Sequence, residues 1–366
     1  IMEFMNVKAF SETSKDLYEA VKEYSRNYNN ERKGIKAFSE HSKEDMEKLI
    51  NKAFAMEVAK QSGMALPTDM SNKTEVKRYS ENPMVKFFAN QIRDVMIDMI
   101  LPDVLMTGAV RYFADIKYAD LGDTIKFDIK SNSLFTVSKA GWRQRTTNLQ
   151  KTFRTTVTME GENHEVTVGA SLFEIMTGQA FVAEEVMKVG LSIERAMLND
   201  AYDAFTGAAN AVTGNLKVSN YSEVGLIKLC QTITAYNNGR KAVILGTPVA
   251  LKSVLPSNSN YRYLLDSEYV KLGRLQTFNG YDVIPMEQVA DDTNATPYSL
   301  KLDDSKIYVV SPASDKIVKI GVFGGTISHQ DGAYANANKQ VENTTEKAWN
   351  VACITNSVAG VVDSLS

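Results

Sequence analysis

From Ile129 to Met159 the chain carries no acidic residue, while Lys130, Lys139, Arg143, Arg145, Lys151 and Arg154 all fall within that stretch. Trp142 stands near its middle. The flanks, Thr124-Ile125-Lys126-Phe127-Asp128-Ile129 and Phe153-Arg154-Thr155-Thr156-Val157-Thr158-Met159, alternate polarity and favour β-branched and aromatic residues, as strands do. An all-basic, strand-flanked excursion in an otherwise slightly acidic chain needs an acidic surface to rest on. It therefore points outward, to a partner, more than inward to a catalytic pocket.

The remaining composition excludes several classes. With 366 residues, 44% of them hydrophobic and 23% charged, the chain has the balance of an ordinary globular protein and room for two or three domains. A formal charge of -3 argues against a dedicated nucleic-acid binder. Six cations around Trp142 could grip phosphate, but only Phe135 and Phe153 add aromatics for base stacking, so a hairpin that packs on another protein chain fits better. Cys230 and Cys353 are too few and too far apart for a disulfide framework or a zinc site, which predicts a reducing, intracellular origin. No run approaches the roughly 18 apolar residues of a membrane span. The opening Ile1-Met2-Glu3-Phe4-Met5 lacks the basic region and apolar core of a secretory signal.

Along the chain, residues 1–62 are polar and read as helical. Lys8-Ala9-Phe10-Ser11-Glu12-Thr13-Ser14-Lys15 nearly repeats as Lys36-Ala37-Phe38-Ser39-Glu40-His41-Ser42-Lys43. Thr13-x-x-Asp16 and Ser42-x-x-Asp45 resemble capping boxes. The second helix is predicted over Lys43–Lys60, with Met46, Leu49, Ala53 and Met56 on one apolar face. Residues 63–82 read as a linker. A third helix starts at Asn82-Pro83 and is expected to end at Pro102. Residues 114–168 read as strand throughout, with a tight turn at Leu121-Gly122-Asp123. Gln179–Phe205 forms one long helix of about 40 Å, stopped by Gly207. From Val218 helices and strands alternate. Helices are predicted over Ser222–Tyr236 and Thr247–Leu255, and strands at Ala242–Gly246, Val283–Pro285, Lys306–Val310 and Lys316–Val322. Asn279-Gly280 gives a turn, Gly321–Gly325 a flexible glycine turn, and Ala348–Val362 a final extended segment containing Trp349.

Catalytic chemistry is sparse. His41, His164 and His329 stand apart, and Ser328-His329-Asp331 cannot be a triad, because that geometry needs separated elements. Gly246-Thr247-Pro248-Val249-Ala250-Leu251-Lys252-Ser253 follows a strand and opens a helix, yet it has Leu251 where a phosphate loop needs glycine, and Pro248 removes a donor. It reads as an ordinary capped helix start. Asp291-Asp292 and Asp303-Asp304 lack the ligand spacing of a calcium loop. No catalytic, cofactor-binding or metal-binding residue is assigned, and no cofactor is expected. Glu174, Glu184 and Glu185 make an acidic approach to the long helix. They either complement its dipole or receive a neighbour's basic excursion. Candidate intersubunit contacts are thus Lys139, Trp142, Arg143, Arg145, Lys151, Arg154, Glu174, Glu184 and Glu185.

The order of these elements over residues 83–366 resembles the Hong Kong 97 type of shell protein, the major capsid proteins of tailed bacteriophages. The local phrases that carry it are Ser171-Leu172-Phe173-Glu174-Ile175 before the long helix, Gly246-Thr247-Pro248, and Phe278-Asn279-Gly280-Tyr281-Asp282-Val283-Ile284-Pro285-Met286. The resemblance implies an α+β fold with a helical N-terminal arm at 1–110 and an extended two-stranded loop at 114–168. A peripheral domain with the spine helix would take 169–214 and 346–366, and a mixed α/β axial domain 215–345. It further implies a non-enzymatic subunit of an icosahedral virion, assembled in the host cytoplasm from hexamers and pentamers around double-stranded DNA that is not bound sequence-specifically. Portal and scaffolding proteins, and in some relatives a decoration protein, would be partners; a membrane would not. The alternatives are the shell subunit of an encapsulin-like cellular nanocompartment, or an α/β enzyme or surface-binding protein.

Overall fold

The computed structural model describes residues 12–32, 34–35, 42–105, 108–132, 134–135, 137, 142, 149–169, 171–256, 269, 271–291, 297–312, 315–331 and 342–365. In chain order the elements are α1 (Glu12–Arg32), α2 (Lys43–Ser62), α3 (Lys73–Ser80), α4 (Pro83–Leu105), α5 (Val110–Phe113), β1 (Ala114–Ala119), β2 (Ile125–Lys130), β3 (Arg154–Met159), β4 (Glu162–Val168), α6 (Leu172–Met176), α7 (Val182–Asn210), β5 (Lys217–Val218), α8 (Glu223–Tyr236), β6 (Val243–Gly246), α9 (Pro248–Leu251), β7 (Thr277–Phe278), β8 (Tyr281–Pro285), β9 (Ile307–Val310), β10 (Val318–Asp331), β11 (Glu342–Cys353) and β12 (Gly360–Val362). Helix and sheet are mixed, as the α+β expectation requires. The chain divides into two compact units, and α7, β10 and β11 contribute residues to both.

The first unit comprises residues 1–105, 162–194 and 324–348. Helices α1, α2 and α4 pack together there. Ser42 caps α2 by accepting from the Asp45 amide at 3.2 Å. The buried side of α2 carries Met46, Glu47, Ile50, Phe54, Glu57 and Val58, whereas Leu49 and Met56 are exposed. The apolar face therefore lies one step around the helix from the predicted one. Two glutamates share the buried side, and a hydrophobicity count cannot anticipate them. Tyr24 of α1 accounts for one, donating to Glu47 Oε1 at 2.5 Å. Asn51 of α2 closes the next junction. Its Nδ2 donates to the Ala180 carbonyl, and its Oδ1 accepts from the Val182 amide, both at 2.9 Å, which caps the start of α7.

The second unit comprises residues 106–161, 195–323 and 349–366. Its six-stranded sheet runs β5-β12-β9-β6-β8-β7. Strand β6 pairs in parallel with β8 and antiparallel with β9. Asn279 and Gly280, at φ 47° and 82°, supply the left-handed turn that joins β7 to β8. Leu226, Leu229 and Ile233 of α8 cover this sheet in a core shared with Ile244, Ile307 and Val309. Elsewhere in the unit β1 pairs in parallel with β10, from Ala114↔Val318 to Ala119↔Phe323. Strands β2 and β3 form a separate antiparallel ladder, from Ile125↔Met159 to Lys130↔Arg154.

Several boundaries differ from the sequence expectations. The expected linker contains α3, capped by Asn72 and anchored by the single buried apolar residue Val76, too little periodicity to read. Helix α4 continues through Pro102 to Leu105, because its Val95, Met96, Ile97, Ile100 and Leu101 are buried, and one missing bond in a last turn does not unravel a packed helix. Helix α7 runs past Gly207 to Asn210, with Ala209 buried. Residues 114–168 are not continuous strand: β1 joins β10, and among the described residues between β2 and β3 there is none in a strand. Helix α9 stops at Leu251, after which the chain turns. The expected glycine turn at 321–325 lies inside β10. A Cβ on Gly321 would sit 2.9 Å from Met159 Sδ and 3.1 Å from Ile125 Cδ1, so the glycine admits the β2–β3 ladder against β10.

Phe205 stacks on Phe113 with ring centroids 4.4 Å apart and meets Tyr308 edge-on at 5.0 Å. Phe205→Ala should lower stability by about 3–5 kcal/mol, read from the denaturant midpoint of the second unit.

Candidate functional site

Of the nine candidate contact residues, Lys139, Arg143 and Arg145 lie outside the described residues. Arg154 is already answered within its own hairpin. Its guanidinium pairs with Asp128 across the ladder, and Thr156 Oγ1 donates to Asp128 Oδ1 at 2.9 Å. These two hydrogen bonds hold the Asp128 carboxyl below its usual range. Lys151 is exposed, and Trp142 is 96% exposed. Around them Leu134, Phe135, Val137, Leu149 and Phe153 are also exposed. The sequence reading caught the cations and the aromatics but not Leu134, Val137 and Leu149. Their alternation with threonine and serine looked like strand, and the structure gives them no covering layer within the second unit.

The base of this extension is pinned by carboxamides. Asn132 Nδ2 donates to Asn237 Oδ1 at 3.0 Å, and Asn238 Nδ2 donates to the Asn132 carbonyl at 2.9 Å. Asn237 in turn donates to the Val358 carbonyl and accepts from the Val358 amide. The end of α8, the root of the extension and the approach to β12 are thus tied at one point. Asn238, at φ 60°, takes the left-handed conformation that asparagine tolerates better than most residues.

The three glutamates are engaged within the first unit. Glu174 completes a capping box with Ser171 at the start of α6, a helix separate from α7. Glu184 pairs with Lys188 at 2.8 Å, one helical turn on. Glu185 is buried and paired with Arg93 of α4. Burial pushes the Glu185 carboxyl up, and Arg93 pulls it back down. Glu184 and Glu185 occupy the first turn of α7, where negative charge complements the helix dipole. A neighbour could reach Glu185 only if the Arg93 pair opened.

Arg93 belongs to a row of charges that the sequence reading passed over. Asp98 of α4 accepts from the Thr326 amide at 2.9 Å and from Thr326 Oγ1 at 2.6 Å. Lys347 of β11 donates to the same carboxylate at 2.7 Å. Asp94 accepts from the Ser328 amide at 3.1 Å. Asp94 Oδ1, Arg93 Nε and Glu185 Oε2 are buried without a hydrogen-bond partner among the described residues. Their signal in sequence is Arg93-Asp94 and Asp98 set inside an otherwise apolar helix, with the two acids one helical turn apart.

Among the described residues there is no group of three or more His, Cys, Asp or Glu that could hold a metal ion. Thr247 Oγ1 accepts from the Ala250 amide at 3.2 Å, the ordinary cap of a short helix. Among the described residues no helix is long and apolar enough to cross a membrane.

Burial, eased in part by the Ser328 hydrogen bonds, lifts the Asp94 carboxyl from 3.8 to about 6. A raised acid favours the folded state when protonated. Its destabilising charge is therefore present above about pH 6 and relieved as pH falls from there towards 4. The melting temperature of the first unit should rise on acidification across that window. Asp94→Asn should remove this rise and gain up to ~3 kcal/mol at pH 7.5, measured by thermal and denaturant melts.

No family model matches the chain, and no curated protein sequence matches it. Solved structures do. The asymmetric unit of the bacteriophage PhiM1 mature capsid is 10% identical over 71% of this chain and 87% of its own, with a TM-score of 0.45. The capsid of an empty GTA particle is 14% identical over 71% and 97%, with a TM-score of 0.46. A virus-like particle from Pyrococcus furiosus is 13% identical over 73% and 97%, with a TM-score of 0.42. The functional reading rests on the chain's own residues.

Proposed function

We propose that this chain is a structural subunit that self-assembles into a closed shell of the Hong Kong 97 type, an icosahedral viral capsid around double-stranded DNA. The observation that carries this reading is the projection between β2 and β3, whose large apolar side chains face solvent, Val137 at 94% and Trp142 at 96% exposure. Apolar patches of that kind mark interaction surfaces. In sequence, cations flank the exposed Trp142, and protein–protein interfaces combine an aromatic with arginine in the same way. Trp142, Lys139, Arg143, Arg145 and Lys151 are the proposed contacts to a neighbouring copy. Arg154, tied to Asp128, stiffens the ladder that carries them.

The domain layout proposed from the sequence goes with this reading: arm 1–110, extended loop 114–168, peripheral domain 169–214 and 346–366, axial domain 215–345. Each copy would meet its neighbours through several modest contacts, and the shell would gain stability by multivalency. A chain at -3 suits containing DNA without gripping it, since many phosphate contacts would bind it tightly. No catalytic role is assigned. Portal and scaffolding proteins remain proposed partners.

Overexpressed protein should yield uniform particles by electron microscopy, with nuclease-resistant DNA in particles from infected cells. A protein that stays monomeric under all assembly conditions would sink the shell reading. Cargo protein in place of DNA would turn it towards a nanocompartment. Arg143→Glu with Arg145→Glu should impair particle formation while leaving the monomer's melting temperature unchanged. High salt should weaken the same exposed contact in the wild type, measured by sedimentation.

A further inference from the structure

In the first unit α1 and α2 lie antiparallel. Lys43 Nζ sits 5.0 Å from the Tyr28 ring centroid, and Tyr24 donates to Glu47 Oε1 at 2.5 Å, so α2 descends as α1 rises. At 3.6 residues per turn, the side of each helix turned away from this contact follows from its numbering. On α1 that side carries Asp16, Glu19 and Glu23, with Lys15, Lys22 and Arg26 running beside them, and all six are exposed. On α2 it carries Lys48, Leu49, Lys52 and Met56, all exposed, preceded by Asp45, whose Oδ2 accepts from Ser42 Oγ at 2.6 Å. Among the described residues Asp16, Glu19, Glu23, Lys48 and Lys52 enter no ion pair. Helix α2 thus buries Glu47 and Glu57 while Leu49 and Met56 stand in water, the reverse of what one isolated copy favours.

The two outer rows are complementary. Steps of four residues advance about 6 Å along either helix. One antiparallel register therefore brings Lys52 to Glu19 and Lys48 to Glu23, and carries Asp45 to Arg26 at the end of the row. The same register lays Leu49 and Met56 against the aliphatic stems of Lys22 and Lys15. The parallel setting that joins Lys52 to Glu19 puts Lys48 opposite Lys15 and loses the match. Within one copy the rows cannot meet, because each points away from the other helix. We infer that the outer face of α2 is the docking site for α1 of a second copy of this chain. Donor and acceptor lie on different helices, so the contact is heterologous and passes from copy to copy until a ring closes. That closure rests on the shell reading, which the inference deepens by giving the N-terminal helices a contact of their own. Single exposed ion pairs contribute little, so the contact draws on three pairs and an apolar strip together.

Charge exchange in the full-length chain tests the contact. Lys48→Glu with Lys52→Glu should raise the critical concentration for particle formation about fivefold, and Glu19→Lys with Glu23→Lys should do the same. All four substitutions together should restore assembly, because both pairs are rebuilt with their signs reversed. Lys48→Gln with Lys52→Gln, which cannot repel, should give about a twofold rise and stands in if the glutamate variant does not fold. Assembly of the reversed α2 face at the wild-type concentration would overturn the inference. So would failure of the fourfold variant to recover while its monomer melts normally. A second measurement needs no particles. Chains carrying Glu23→Cys, mixed with chains carrying Lys48→Cys, both with Cys353→Ser, should form disulfide-linked dimers of unlike chains on mild oxidation. Such dimers without any particles would keep the contact and sink the shell reading, whereas particles without such dimers would sink the contact alone.

Discussion

The charges that α4 carries into its packed surroundings are the constraint on which the first unit depends. Arg93, Asp94 and Asp98 each reach a different partner: Glu185 of α7, Ser328 of β10, and Thr326 of β10 together with Lys347 of β11. Apolar side chains of similar volume could fill the same space with equal or greater stability, since desolvating ions offsets much of their attraction. What apolar packing would not supply is register. A one-residue slip of β10 would turn Thr326 and Ser328 to the opposite face and strand two half-buried carboxylates. The ions therefore fix which residues of β10 and β11 meet the helix, and that choice sets which residues of β11 face outward.

Folding of a single copy leaves a cost at the β2–β3 extension. Leu134, Phe135, Val137, Trp142, Leu149 and Phe153 are exposed, and large apolar side chains in water order the solvent around them. An exposed apolar cluster of this size is what an interaction surface looks like before its partner arrives, and this is why the proposed shell contacts are placed there.

Legibility in the sequence follows the physics of each element. Helices α2 and α4 are placed in the sequence by caps at Ser42 and Asn82, each of which accepts from a first-turn amide. The β7–β8 turn followed from Asn279-Gly280, whose left-handed angles no bulkier pair would take. The contact between Asn51 and α7 could not be read, because it joins residues 131 apart through one carboxamide. Nor could the buried side of α2, where Glu47 and Glu57 take places that hydrophobic counting assigns to Leu49 and Met56. Of the candidate site, the basic stretch was plain from its missing acids. Its acceptor was sought among glutamates adjacent in sequence to the long helix. A local pattern shows charge but not engagement, and Arg93 and Lys188 had already claimed two of the three.

The glycine-rich segment of β10 shows how far such errors propagate. Read as a flexible turn, Gly321–Gly325 would have separated two short strands. As one strand, β10 instead carries Lys319 in the second unit and Thr326 and Ser328 in the first. Lys319 is buried against Asp315 at 2.6 Å, with the Phe127 ring centroid 5.8 Å away. Gly321 leaves the space into which Met159 and Ile125 of the β2–β3 ladder fit. A larger residue at 321 would push at the root of the extension, two residues from the buried Lys319 ion pair. Small side chains here serve close approach rather than mobility. The root of the extension is thus held by β10 packing on one side and by the Asn132 hydrogen bonds on the other.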